Sequence, residues 1–431
     1  MKVLHVITGL GVGGAEMQLR SALQHTRHEC DVVTLYNPGP VAEMIRGDGA
    51  RVGDLGMTRN TQLRALWELR RIIRAGGYDV VHCHLYRSQV YGRTAAWLAA
   101  VPVVVSTEHS IGETHLERRK MTAGVRALYL ATERLSDATI AVSETVRDRM
   151  INWGVRDSRI VVIPNGVDLG RVAFDPAARA RIRAELGIGA DDYVLGVLGR
   201  LDPNKQFNLV IEAAAPLLGD NTKLLVVGKG DERSRLEEVA ARCEVTGRVI
   251  FAGERHDVAA MLSAMDLFVA SSAQETFGLS VLEALANGVP VLYTTCPALT
   301  GLEVSRALQV PSTVPGIRAA MADEVRAGQR DRLPEPAIEK AYGISAVTNR
   351  IDDLYDQLAA RRSWRTLADA FRKYCAVSSS RVRSMKVVLG AEATSCWKAF
   401  PTLSSWGMLC MANRKAVLEP RAVCRMLAKF E

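Results

Sequence analysis

The chain has 431 residues, 48% hydrophobic and 24% charged, with a formal net charge of +8. It is too long for one ordinary core, so two domains are expected. No apolar run approaches the roughly 18 residues of a membrane helix, and the eight scattered cysteines form no CxxC pair, which argues against a spanning protein, a disulfide scaffold and a structural zinc module.

The chain opens on an apolar run, "KVLHVIT", with one lysine and no long apolar segment, which does not read as a signal peptide. The expected location is a reducing, bacterial-type cytoplasm or its membrane face. Short β-branched runs then recur: "CDVVTLY", "DVVHCH", "VPVVVSTEH", "ATIAVS" and "IVVIPNG". Helix-period segments separate them, such as "TQLRALWELRRIIRAGG", with Leu63, Leu66, Trp67 and Arg70 in its repeat. Unalternating apolar strands between helices predict a parallel sheet covered on both faces. After residues 166–192 the pattern starts again with "YVLGVLGR", "KLLVVGKG", "RVIFAGE", "LFVASS" and "PVLYTT". The fold class expected is α/β, two doubly wound Rossmann-like domains facing a cleft, with ligands at the carboxyl ends of the strands.

Gly9, Gly11 and Gly14 in "ITGLGVGGAE" satisfy a dinucleotide fingerprint. That fold also needs an acid at the end of its second strand. Asp31 has the right separation but begins "CDVVTLY", whose far end is Tyr36-Asn37. The loop offers a tight turn and helix N-terminal amides but no adenosine clamp. Gly13 and Gly14 add an adjacent permissive pair, as if something approaches the backbone closely.

The second half is more specific. In "SSAQETFGLSVLEALANGVP", Asn287-Gly288 ends a helix and Pro290 opens a strand. The helix is expected to begin near Phe277-Gly278, leaving Glu275 in the loop and Glu283 about a turn and a half inside. The amides of Phe277, Gly278 and Leu279 would then be free donors for a phosphate. Two acids flanking an anion site suit sugar hydroxyls on either side of a diphosphate. The plain alternative is a capping Glu275 and a solvated Glu283.

The Glu-(seven residues)-Glu arrangement within "ETFGLSVLEALANGVPV" resembles the retaining family-4 glycosyltransferases of the GT-B fold. "GLGVGGAE", "VSTEHS" with His109, "VIPNGVD", "LGRLDPNKQFNLVIEA" with Arg200 and Lys205, "VVGKGDERSRLEE" and "VIFAGERHDVAAMLSAMDLFVASS" match in order. The resemblance covers roughly residues 1–360. It implies a first, acceptor-side domain over 1–168, a nucleotide-sugar domain over 169–346 and a crossover helix over 347–362. It also implies a UDP- or GDP-linked sugar as donor substrate, no cofactor, and a hydroxyl acceptor such as a glycan, a lipid-linked glycan or a small molecule.

On this reading Arg200 and Lys205 neutralise the leaving phosphate. Glu283 takes the ribose hydroxyls, Glu275 holds the donor sugar, and His109 faces it from the first domain. Retention is implied, with the leaving phosphate deprotonating the acceptor and no protein nucleophile. The chain contains no Asp-x-Asp, and His82 and His84 share a strand face without a visible third ligand. No metal is therefore expected. The alternatives are a nucleotide-sugar epimerase or hydrolase on the same scaffold, or a non-catalytic sugar-nucleotide-binding subunit. Two departures stand out. "CPALTGLEV", with Glu303, replaces a glycine-rich turn, and residues 363–431 match nothing in the family. That tail holds 12 Lys and Arg against 4 Asp and Glu, three of six tryptophans and four of eight cysteines. It carries the whole net charge, which suits peripheral contact with an anionic membrane. No nucleic-acid module is present, and the alternative is an adventitious extension.

Overall fold

The computed structural model describes residues 1–362 apart from 60, 113–114 and 117–118. The basic tail lies outside the described residues.

The apolar runs become two parallel sheets. The first contains β1 (Lys2–Ile7), β2 (Glu29–Thr34), β3 (Arg51–Asp54), β4 (Val80–His84) and β5 (Val103–Glu108). A short antiparallel ribbon, β6 (His115–Leu116) with β7 (Arg119–Lys120), precedes its last two strands, β8 (Ala138–Ala141) and β9 (Ile160–Val162). Its order is β3-β2-β1-β4-β5-β8-β9. The second contains β10 (Tyr193–Leu198), β11 (Thr222–Val227), β12 (Val249–Gly253), β13 (Leu267–Ala270), β14 (Val291–Tyr293) and β15 (Ala307–Gln309), in the order β12-β11-β10-β13-β14-β15. Every residue of β4 and β5 is buried, as strands covered on both faces require.

Strand order reverses between β1 and β4 in one sheet and between β10 and β13 in the other. Loops leaving the carboxyl ends of those strands bound the crevices where open α/β sheets take ligands. The glycine loop leaves β1, and the Arg200–Lys205 and Glu275 loops leave β10 and β13. Asp31 sits towards the opposite end of β2, bonded to Arg51 at 2.8 Å and to the Tyr78 hydroxyl at 2.7 Å. That placement removes it as a ribose ligand.

The chain joins the two sheets twice, side by side. Val167 N–H donates to Tyr342 O at 2.7 Å, and Ile344 N–H returns a bond to Val167 O at 3.0 Å. A final helix runs from 344 through 362. Its Val347, Leu354 and Tyr355 cover Val3, Val80, Val105 and Ile140 of the first sheet. Asp352 fastens it by accepting from Thr26 Oγ1 at 2.8 Å and Arg27 N–H at 3.0 Å. This helix therefore completes the first core after the chain has built the second sheet.

One helical face differs from expectation. In the helix Leu63–Gly76 the buried residues are Ala65, Leu69 and Ile73. Leu63 is 76% and Trp67 57% exposed, and Arg70 donates to Leu98 O. Both stripes have helical spacing. The small Ala65 sits on the covered side, and Trp67 lies outward with the Arg70 guanidinium over its ring.

Candidate functional site

The β10 loop turns through a 3-10 segment, Pro203–Lys205, capped by Asp202, which accepts from Lys205 N–H. It is zipped to the β13 loop. Asn204 Nδ2 donates to Gln274 O at 2.9 Å, Gln274 N–H donates back to Asn204 Oδ1 at 3.1 Å, and Ser271 Oγ donates to Lys205 O at 2.6 Å. This frame sets Lys205 Nζ 2.6 Å from Glu275 Oε1, with each side chain about one-fifth exposed. Arg200 is half exposed, 3.6 Å from Asp202. Its charge also opposes the upward push that burial gives the Glu16 carboxyl on the first domain.

Beyond Glu275 the chain enters the helix Leu279–Asn287 through Gly278 at φ +104°. A Cβ there would lie 2.5 Å from Cys296 Sγ, so the turn needs glycine for both backbone and space. The first helical bond comes from Val281 N–H to Gly278 O at 3.1 Å. The preceding amides have no intrahelical acceptor and point out of the helix start, where negative charge is favoured. Phe277 is buried. Glu283 lies further along the same helix, and burial pushes its carboxyl up to about 7 against the pull of Arg171, 3.9 Å away.

The first domain reaches this loop directly. Ser143 Oγ donates to Thr276 O at 2.6 Å while it caps its own helix by accepting from Val146 N–H. Arg149 Nη1 reaches Glu275 O at 3.3 Å and Ile111 O at 3.1 Å. Across the cleft, a Cβ on Gly14 would sit 3.2 Å from Leu279 Cδ1. The glycine loop thus faces the helix that follows Glu275.

Residues 11–171 match Glycosyltransferase Family 4 and residues 178–304 match Glycosyl transferases group 1. The D-inositol 3-phosphate glycosyltransferase of Geodermatophilus obscurus is 31% identical over 351 residues, 75% of this chain and 72% of that relative. This chain belongs to the family-4 glycosyltransferases. The UDP-Gal:alpha-D-GlcNAc-diphosphoundecaprenol alpha-1,3-galactosyltransferase of Escherichia coli is 30% identical over 238 residues, 53% of this chain and 61% of that relative. This glycosyltransferase therefore spans less than two thirds of that relative's length. Among solved structures, Anabaena Alr3699/HepE in complex with UDP and glucose aligns with a TM-score of 0.73 at 21% identity, covering 83% of this chain and 100% of that one. At that identity the likeness establishes the two-domain GT-B architecture.

Within the glycosyltransferase, Lys205 and Glu275 meet, Arg200 flanks the same loop, and Glu283 pairs with Arg171 instead. Gly13 and Gly14 do not act through unusual backbone angles. Gly13 is extended at φ −154° and Gly14 is helical, so it is their missing side chains that matter: a Cβ on Gly13 would lie 2.5 Å from Glu16 Oε2, and one on Gly14 3.2 Å from Leu279 Cδ1. His109 bonds to His84 and lines a cavity of about 50 Å³ with His5, His82 and Tyr355. His5 is the third histidine that the sequence did not reveal beside His82 and His84. Ser143, Arg149, Asn204 and Glu16 were also missed. "AVSE" is readable as a helix cap, but its reach into the other domain is not.

Proposed function

We propose that this glycosyltransferase moves a sugar from a UDP- or GDP-linked donor to a hydroxyl acceptor with retention, in polysaccharide, glycolipid or glycosylated natural-product biosynthesis. The observation that carries this reading is the Lys205–Glu275 pair at 2.6 Å, set beside Arg200 and an open helix N-terminus. Lysine and arginine supply the charge that a leaving diphosphate needs, and fixed amides supply donors that require no reorganisation. Glu275 is held by Lys205 until a donor arrives, and then accepts from sugar hydroxyls. Glu283 accepts from the ribose, and His109 contacts the sugar from the first domain.

As the bond from the anomeric carbon to the phosphate oxygen breaks, that oxygen takes the acceptor's proton. The acceptor oxygen then bonds the anomeric carbon from the same face. No step requires a protein nucleophile. The E. coli relative's activity, galactosyl transfer to a diphosphoundecaprenol-linked sugar, supports a lipid-linked glycan as acceptor and UDP as carrier. A thermal-shift screen of nucleotide sugars, followed by product analysis, tests the reading. Stabilisation by one donor and a sugar–acceptor product are expected, since ligand binding to the native state raises stability. Free or isomerised sugar as the sole product would instead assign a hydrolase or an epimerase.

A further inference from the structure

A row of imidazoles runs inward from His109, just past the carboxyl end of β5, into the first domain. His109 Nε2 lies 3.3 Å from His84 Nδ1, and His84 Nε2 lies 3.0 Å from His5 Nδ1. Both nitrogens of His84 are thus committed to other rings. The register explains the placement. β1 and β4 are paired, with His5 opposite His82 and Ile7 opposite His84, so the three rings share one face of the sheet. His82 lies against His84 with centroids 4.1 Å apart. It is held at both nitrogens, by the Tyr355 hydroxyl at 2.5 Å and the Thr107 hydroxyl at 2.7 Å.

Burial lowers His5 and His109 to about 4 and puts His82 and His84 well below the usual histidine range. All four rings are therefore neutral near pH 7. A neutral imidazole has one N–H and one bare nitrogen. In a row of such rings each link holds one proton, so one ring's tautomer dictates the next. If His5 donates to His84, then His84 donates to His109, and His109 carries its proton on Nδ1. In the reverse polarity His109 Nδ1 is bare.

We propose that His84 and His5 are positioning residues for His109. The row fixes one tautomer and one ring orientation of His109, and so decides whether His109 Nδ1 donates to or accepts from a sugar hydroxyl. This deepens the reading of His109 as a sugar contact and rests on it. A metal is the competing use of the same atoms, since one nitrogen from each of His5, His82 and His84 lies within 4.8 Å of the others. Tetrahedral zinc holds its nitrogens at about 2.0–2.1 Å, hence about 3.3–3.4 Å apart. The nearest His5 and His84 nitrogens stand 3.0 Å apart, bonded to one another and closer than a shared zinc would hold them, and His82 has both nitrogens occupied by hydroxyls.

The test is ¹⁵N NMR of histidine-labelled full-length protein, with His109→Ala assigning the His109 signals. Wild type should show His109 in one fixed neutral tautomer. His5→Phe keeps an aromatic ring but removes the hydrogen bond. It should move both His109 signals towards tautomer-averaged positions and lower kcat roughly tenfold, with donor KM changing less. His5→Asn, which places an amide near the lost Nδ1, should restore both. An averaged His109 spectrum in wild type overturns the proposal without any variant. So does an unchanged His109 spectrum in His5→Phe, or one tightly held zinc ion per chain that His5→Phe releases. Unchanged kcat in His109→Ala would remove the sugar contact, while the spectrum alone decides the tautomer lock.

Discussion

Lys205 and Glu275 neutralise one another across a 2.6 Å contact. Removing Lys205 therefore has two separable effects. It deletes a cation from the leaving-group side, which costs on the order of 2–4 kcal/mol of transition-state stabilisation. It also leaves a half-buried carboxylate without its partner. Lys205→Ala should lower kcat by about 10²–10³-fold, and Lys205→Ala with Glu275→Gln should recover stability without recovering turnover. Near-wild-type kcat at saturating donor would remove Lys205 from the chemistry. Glu283 gives a pH signature. Its ordinary value is 4.5 and burial raises it to about 7, so the native protein holds the extra proton between those values. Unfolding free energy contributed by Glu283 is fully present below about 4.5 and is lost as pH rises through about 7. Ribose hydroxyls favour the ionised acceptor, so donor affinity should increase from pH 6 to pH 8, and Glu283→Gln should flatten both trends. Calorimetric titration showing the same pH slope in Glu283→Gln would exclude this role. The charged types were legible at these positions because charge beside glycine turns after apolar strands has few structural uses. His5 was not, because nothing in "KVLHVI" separates a buried histidine at a ring junction from one that merely fills a strand.

The element most exposed to a small change is the turn into the helix Leu279–Asn287. Gly278 stands at φ +104° with Cys296 Sγ 2.5 Å from where a Cβ would lie. Gly278→Ala should cost on the order of 1–2 kcal/mol from the backbone alone, more from the sulfur contact, and should weaken nucleotide binding as the terminal amides turn away. Cys296→Ala in that background should return only the contact part, measured by denaturant unfolding. Full recovery would show that the backbone angle carries no cost. The helix end at Gly288 and its start near Gly278 were readable from residue type. The covered face of Leu63–Gly76 was not, because a stripe through Leu66 and Trp67 and one through Ala65 and Leu69 have the same period. Tertiary packing selects between them, and Ala65, Leu69 and Ile73 join the core formed by Leu4, Val33 and Val81 of the sheet with Ala95 and Ala96 of the helix Tyr86–Ala99.

At the scale of the molecule, the restart of strand–helix alternation at Tyr193 was enough to indicate two sheets, and the reversal of strand order then places the loops. A crossover helix over 347–362, returning to the first domain, is expected from the sequence, but no local pattern could show which residues, Asp352 and Tyr355 among them, meet the first core. Distant pairing of this kind leaves no periodic mark. The tail beyond residue 362 contributes none of the residues named in the site, yet it carries 12 Lys and Arg against 4 Asp and Glu. Truncation after residue 362 should therefore leave nucleotide-sugar stabilisation unchanged, because the contacts that seat the last helix, from Val347 to Tyr355, remain. If the tail is a membrane-surface element, the same truncation should abolish sedimentation with anionic liposomes at low salt. Each basic residue near such a surface is worth about 1 kcal/mol and loses that as salt rises, so partial engagement is measurable. Equal sedimentation by the full and shortened chains assigns any liposome binding to residues before 363. Loss of nucleotide binding on truncation would mean that the tail packs into the catalytic unit, and the boundary at residue 362 would have to move.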